Sequence, residues 1–300
     1  MRQIKFLLVI FFFSSCGTIF GVREVVTIGT NVDNAEIFVN GVSVATAPNQ
    51  LSLKPKDIVL LKQVGINPLV IHGGGPKIKG MLDKLKVQTN FIDGLRVTDQ
   101  ETMNIVEMVL SGSINKEIVM EINREGGKAI GLSGKDGLLV ETQKIKTSNL
   151  SSKQKKIDLG FVGQPKKIND DLLNWLIKSH FIPIISPIGF NKNYDTFNIN
   201  ADTMSGSIAS SISSERLILL TDVDGVLDKR GNLLKDISIK DVQKLIKNGT
   251  IMEGMIPKVQ TCIDAVNNGV KAAVILNGNL PHAILLEIFT ESGVGTLITK

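Results

Sequence analysis

Five short stretches of the chain carry groups suited to holding anions or carboxylates. His72-Gly73-Gly74-Gly75-Pro76 follows an apolar run and leads into a helix with proline in its first turn, where the missing N–H costs nothing. Gly74 and Gly75 would let the backbone pass close to a ligand, and the free N–H groups of a helix start favour negative charge. The same residues also suit an ordinary tight turn. In Gly94-Leu95-Arg96-Val97-Thr98-Asp99, Arg96 precedes a helix that Thr98 or Asp99 can cap. Its guanidinium could grip a carboxylate through two parallel hydrogen bonds, or pair on the surface with Asp99 or Glu101. Asn198-Ile199-Asn200-Ala201-Asp202 offers amides for an amide-bearing substrate or a phosphate oxygen, and a carboxylate able to orient lysines. A plain Asx turn also fits it.

Leu217 to Thr221 is an apolar run ending in the acidic loop Asp222-Val223-Asp224-Gly225-Val226-Leu227-Asp228, the kind of strand end at which α/β proteins bind ligands. This loop imitates the nucleophile motif of haloacid-dehalogenase-type phosphatases, but the roughly 75 residues after it are too few for the rest of that fold. A calcium loop fails on the missing glutamate at the twelfth position. Glu253-Gly254-Met255-Ile256-Pro257-Lys258 puts a lysine at a helix start, where the dipole disfavours a cation unless an anion is bound nearby.

To bring these stretches together the chain needs a scaffold. From Asp57 onward apolar runs alternate with amphipathic stretches, the pattern of a largely parallel sheet covered by helices. Strands are expected at Pro68–His72, Lys128–Leu132, Phe181–Pro187, Leu217–Thr221 and Ala272–Leu276. Helices are expected at Pro76–Leu85, Asp99–Leu110, Lys116–Glu125, Asp170–Lys178, Ala201–Ile212, Ile239–Asn248 and Pro257–Asn268, with Lys144–Lys156 a polar hairpin or loop. The fold class read here is an α/β three-layer sandwich.

Residues 1–20 place Arg2 and Lys5 before the apolar run Phe6–Phe13 and a small-residue stretch ending at Cys16, the layout of a secretory or lipoprotein signal, although a buried strand is the competing reading. Residues 21–55 read as β-structure: a β-branched run at Val25–Ile28, then Glu36–Val39 leading into Asn40-Gly41, a hairpin dipeptide. Asn34–Gly41 resembles the core of the small PEGA-type module of envelope proteins. The domain division is therefore 1–20, 21–55 and 56–300.

The formal net charge of +5 is spread among acidic residues, and one Trp and one Tyr offer no platform for stacking bases, so no nucleic-acid partner is expected. Two distant cysteines and three histidines without ligand spacing imply neither a disulfide framework nor a metal site.

Taken in order, HGGGP, GLRVTD, NINAD, TDVDGVLD and GMIPK resemble the acetylglutamate kinases of the amino-acid kinase family over about residues 56–300. Gly163-Gln164-Pro165 and the segment His282–Ile298 look alike too. The resemblance implies ATP-dependent phosphorylation of the side-chain carboxylate of N-acetyl-L-glutamate, with Mg²⁺ arriving on ATP. It gives Gly74 and Gly75 as backbone donors to substrate and phosphoryl group, Arg96 as the clamp on the α-carboxylate and Asn198 as a substrate contact. Asp202 becomes the carboxylate that organises catalytic lysines, and Lys258 the cation that meets charge on the phosphoryl group. Thr221, Asp222, Val223, Asp224, Gly225, Val226 and Met255 fall to the nucleotide. It also implies a cytoplasmic homo-oligomer, dimer or hexamer, with arginine as an effector.

Family members begin with a strand ending in Lys-x-Gly-Gly, and neither that lysine nor the glycine pair occurs upstream of Asp57. Counting back by the family's spacing lands on Val39-Asn40-Gly41-Val42. The first strand and most of the first helix are thus expected to be replaced by a foreign β segment, through fusion or a misjoined reading frame. Two other readings follow: another kinase of the same family, or a catalytically silent, membrane-anchored lipoprotein that uses the fold only for binding.

Overall fold

A computed structural model describes residues 25–30, 37–39, 42–45, 54–145, 158–252 and 254–300. Cys16, the signal-like stretch, Asn40-Gly41, Glu253 and most of the Lys144–Lys156 insert lie outside the described residues.

The apolar runs build one eight-stranded sheet. Its order is β14 (Asp236–Ser238), β16 (Thr296–Thr299), β15 (Ala272–Asn277), β13 (Arg216–Thr221), β1 (Val25–Thr30), β4 (Asn67–Ile71), β10 (Ile182–Ser186) and β7 (Ala129–Ser133). Every pairing in it is parallel except β15 with β16. A parallel strand covered on both faces must be apolar at nearly every position, which is what NPLVI, IPIIS and RLILLT supply.

Alternate residues go to opposite layers. Val70, Ile184, Ile218 and Leu220 meet helices α1 (Pro55–Gln63), α4 (Asn115–Arg124) and α9 (Ala283–Phe289). On the other face Leu69 and Ile71 pack with Met204 and Ile208 of α6 (Ala201–Ser211), while Leu217 and Leu219 pack with Val259 and Cys262 of α8 (Met255–Asn267). These three layers are the sandwich expected from the alternation of runs.

One expectation is refined and two need correction. First, within the segment read as replacing the family's first strand, Val25–Thr30 fills the central place between β4 and β13, paired in parallel on both sides, whereas Val39 and Val42 face each other in the separate hairpin of β2 (Ile37–Val39) and β3 (Val42–Ala45). A strand bonded on two sides needs an unbroken β-forming run, and VVTIGT is one while the stretch around Asn40-Gly41 is not. Second, the helices expected at Asp99–Leu110 and Lys116–Glu125 are joined. α3 (Gln100–Glu107) passes through a π-helical turn, Met108–Ile114, directly into α4, so Ser111-Gly112-Ser113 widens the helix instead of ending it.

Third, a small closed barrel of β8 (Val140–Lys144), β9 (Val162–Ile168), β12 (Thr196–Ile199) and β11 (Ile188–Phe190) stands beside the sheet. No strand was expected there, because VETQK and TFNI are short and half polar. Their ladder bonds come from partners remote in sequence.

Candidate functional site

The candidate residues lie at the ends of strands and the starts of helices. β4 stops at Ile71 and hands over to His72-Gly73-Gly74, after which α2 (Gly75–Leu85) begins with Pro76 in its first turn. Gly74 has extended φ, so conformation alone does not require glycine. Space does: a Cβ at Gly74 would overlap the side chains of Leu110 and Ile114 on the π-turn. Gly74→Ala should therefore lower unfolding free energy by about 1–3 kcal/mol, the usual cost of overpacking, as read by denaturant titration. An unchanged midpoint would show that the π-turn yields.

Arg96 ends the hairpin of β5 (Phe91–Ile92) and β6 (Leu95–Arg96). Its guanidinium is buried, donates from Nη2 to the Gly75 carbonyl at 3.3 Å, and has the Phe91 ring 4.5 Å away across one face. Nη1 is buried with no hydrogen-bond partner among the described residues. Burial pulls the Arg96 pKa below its ordinary value, but a guanidinium stays charged in water-accessible pH. A buried cation with a spare donor is a seat for an anion.

Thr98 does not cap α3. Asp99 does, accepting from the Thr102 N–H at 2.8 Å, and this bond holds its carboxyl below the usual range. Thr98 is fully buried instead: its hydroxyl donates to the Arg96 carbonyl at 2.8 Å and accepts from the Asn198 amide at 3.5 Å. Gly75, Arg96, Thr98 and Asn198 thus form one hydrogen-bonded chain.

Four residues beyond Asn198, Asp202 sits in the first turn of α6, whose start is capped by Asn200 accepting from the Thr203 N–H at 3.1 Å. Asp202 Oδ2 accepts from Lys258 Nζ at 2.9 Å, with side-chain exposures of 8% and 14% respectively. Asp202 Oδ1 is buried and without a partner among the described residues. Cys262, one turn along α8, is buried beside this pair, and desolvation together with the Asp202 charge pushes its thiol pKa far up, which leaves it inert.

The acidic loop follows β13. Thr221 donates to Asp222 Oδ1 at 3.1 Å and Asn277, at the end of β15, donates to Asp224 Oδ1 at 2.9 Å. Gly225 has φ of 145° and lies where a Cβ would overlap Thr296, Leu233 and the Ile275 carbonyl, while the Val226 N–H donates to Thr296 Oγ1 at 2.8 Å. Val223 is exposed, Val226 buried, and Met255 opens α8.

The sequence profile of the amino acid kinase family matches residues 41–277. The chain belongs to the amino acid kinase family.

Among curated relatives of this amino acid kinase, an acetylglutamate kinase from Rhodospirillum centenum is 56% identical over 247 residues, which is 81% of each chain. One from Brucella anthropi is 56% identical over 246 residues, 81% of this chain and 83% of that protein. Among solved structures, a carbamate kinase from Giardia lamblia bound to AMP-PNP aligns with a TM-score of 0.64 at 16% identity, covering 93% of this chain and 99% of that one. An N-acetylglutamate synthase from Neisseria gonorrhoeae, complexed with coenzyme A and N-acetyl-glutamate, aligns with a TM-score of 0.76 at 22% identity, covering 96% of this chain. This kinase spans only 62% of that synthase chain. At such identities the two structures speak for the fold alone.

Reading the amino acid kinase's sequence missed Thr98 as the link from Arg96 to Asn198, Phe91 over the guanidinium, and Asn277 and Thr296 at the acidic loop. Thr98 carried a signal, since a polar residue flanked by Val97 and a capping aspartate has its hydroxyl free for other work. The others carried none, because their partners lie in distant strands.

Proposed function

We propose that this chain phosphorylates the side-chain carboxylate of N-acetyl-L-glutamate with ATP, giving N-acetyl-L-glutamyl 5-phosphate for arginine biosynthesis. The observation that carries the reading is identity of 53–56% to acetylglutamate kinases over about four-fifths of the chain. The geometry supports it. The spare Nη1 of Arg96 suits the α-carboxylate, Asn198 the substrate, and the N–H groups of Gly74 and Gly75 the substrate and the group in flight. Lys258, steered by Asp202, meets the charge on the phosphoryl oxygens. The loop Thr221 to Val226 and Met255 hold the nucleotide in this proposal.

Two anions must meet head-on in this reaction, so the protein's work is positioning and donors aimed at developing charge, without a general base for an already ionised carboxylate. Mg²⁺ needs about six oxygens near 2.1 Å, and the orphaned Asp202 Oδ1 is a single one. We therefore assign the ion to phosphate oxygens and water, where it neutralises charge on ATP. The reading further includes a cytoplasmic homo-oligomer, dimer or hexamer, with arginine as effector through the His282–Ile298 segment, and the division of the chain at about residue 55. Among the described residues no helix is long and apolar enough to cross a membrane.

The test is ADP release from full-length protein with Mg-ATP and, separately, N-acetyl-L-glutamate, L-glutamate, L-aspartate and carbamate. Turnover should be confined to the acetylated substrate, and preference for any of the others would overturn the assignment. Arg96→Lys should raise KM for N-acetylglutamate about 10- to 100-fold, because an ammonium cannot make two parallel bonds. The KM for ATP should stay within about threefold.

Two observations favour a second reading, a binding protein without catalysis: the chain lacks the family-type lysine upstream of Asp57, and Asp202 Oδ1 has no partner among the described residues.

A further inference from the structure

His72 lies directly under the glycine loop, buried, and the proposed chemistry gives it no role. Its ring is held from both sides. Nε2 is 3.3 Å from the amide nitrogen of Asn115, itself fully buried, and Nδ1 is 3.0 Å from the Gly73 carbonyl.

The proton can be placed by elimination. The Ile184 carbonyl, 2.9 Å from Asn115 Nδ2, can only accept, so the NH₂ end of the amide must face it. The opposite end agrees, since Asn115 Oδ1 accepts from Lys116 Nζ at 3.1 Å. The NH₂ that faces Ile184 also faces His72 Nε2 at 3.3 Å and the Leu132 carbonyl at 3.4 Å, so Nε2 meets a donor, and the Gly73 carbonyl at Nδ1 can only accept. That leaves the ring proton on Nδ1, donating to the Gly73 carbonyl. Burial, with Lys116 and Lys77 nearby, pushes the His72 pKa down to about 4, which keeps the ring neutral near pH 7.

One peptide plane carries the consequence. The Gly73 carbonyl and the Gly74 N–H belong to the same trans amide and point in opposite directions. Holding the carbonyl toward His72 turns the Gly74 N–H the other way. On the far side Gly74 is pressed by Leu110 and Ile114 of the π-turn, which also delivers Asn115 to the ring.

We propose that His72, oriented by Asn115, is a positioning residue for phosphoryl transfer: its Nδ1–H fixes the Gly73–Gly74 peptide so that the Gly74 N–H is aimed at the transferring phosphoryl group. This rests on the kinase reading above, which gives Gly74 its partner. A donor that matters most when charge develops changes turnover more than ground-state binding.

The test compares His72→Leu, which removes both ring contacts, with His72→Asn, whose amide places a donor close to the Nδ1 position. Leu should lower kcat about 10- to 100-fold with KM for N-acetylglutamate within about threefold, and Asn should recover most of that loss. If Leu and Asn behave alike, whether both slow or both normal, the peptide-setting role is wrong and the ring only fills space. Should Leu fail to fold, ring-¹⁵N spectra of the unsubstituted chain decide. With three histidines in the chain, the His72 signal is the one that vanishes in His72→Asn. It should report a neutral Nδ1–H tautomer from about pH 5 to 8, and an Nε2–H tautomer or a titration in that range would overturn the proposal. A chain that shows this tautomer yet turns over no acetylated substrate overturns the kinase reading and leaves the arrangement of the loop standing.

Discussion

Lys258→Met should lower turnover of N-acetylglutamate by about 10² to 10³, the usual loss when one donor to a developing charge is removed. Lys258 Nζ is the cation that α8 delivers to the strand-end side of the sheet, and its bond to Asp202 Oδ2 at 2.9 Å sets where it points. The same substitution leaves the Asp202 carboxylate buried beside Cys262 with neither oxygen paired among the described residues, which costs about 3–5 kcal/mol in stability. Stability and turnover can be separated. Lys258→Met with Asp202→Asn removes the stranded charge and should recover part of the unfolding free energy, while kcat stays down. If turnover returns together with stability, Lys258 was holding the fold and meeting no phosphoryl charge.

The sequence was legible where one residue type had one reason to be there. NPLVI, IPIIS and RLILLT are apolar except at their ends, which only a strand buried on both faces requires, so the sheet and its helices could be read directly. Four of the candidate residues follow from their own surroundings too: a glycine turn before a proline-started helix, an arginine before a cap, an amide before a helix, a lysine in a first turn. What could not be read is how they are joined. Thr98 connects Arg96 to Asn198 across 100 residues, and β12 alternates polar and apolar over only four residues, too short a run to stand out from a loop. The π-turn is hidden for a different reason. Ser111-Gly112-Ser113 reads as a break, yet Leu110 and Ile114 packing on Gly74 and Asn115 bonding His72 hold the widened turn together, and these are tertiary contacts. Which run of the β segment takes the first strand's place was hidden for want of the same information, since spacing lands on Val39–Val42 and only the two-sided ladder singles out Val25–Thr30.

That placement leads to the other large effect, a gain. Val25–Thr30 ends in Thr27-Ile28-Gly29-Thr30, and setting Gly29 on the first glycine of the pattern Lys-x-Gly-Gly puts Thr27 in the place of its lysine. Thr27 is in register with Leu69 on one side and Leu217 on the other. Both of those pack into the layer of α6 and α8, the helices that carry Asp202 and Lys258. In that layer Asp202 has one buried oxygen without a partner among the described residues. Thr27→Lys should therefore raise kcat about 10²- to 10³-fold, by placing a second cation where charge gathers on the phosphoryl group and by satisfying Asp202 Oδ1. Thr27→Met, similar in length and uncharged, should give no gain, and Thr27→Lys in an Asp202→Asn background should lose most of it, because the amide no longer fixes the ammonium. Equal rates for the Lys and Met variants at saturating ATP and N-acetylglutamate would show that residue 27 does not address the reaction centre.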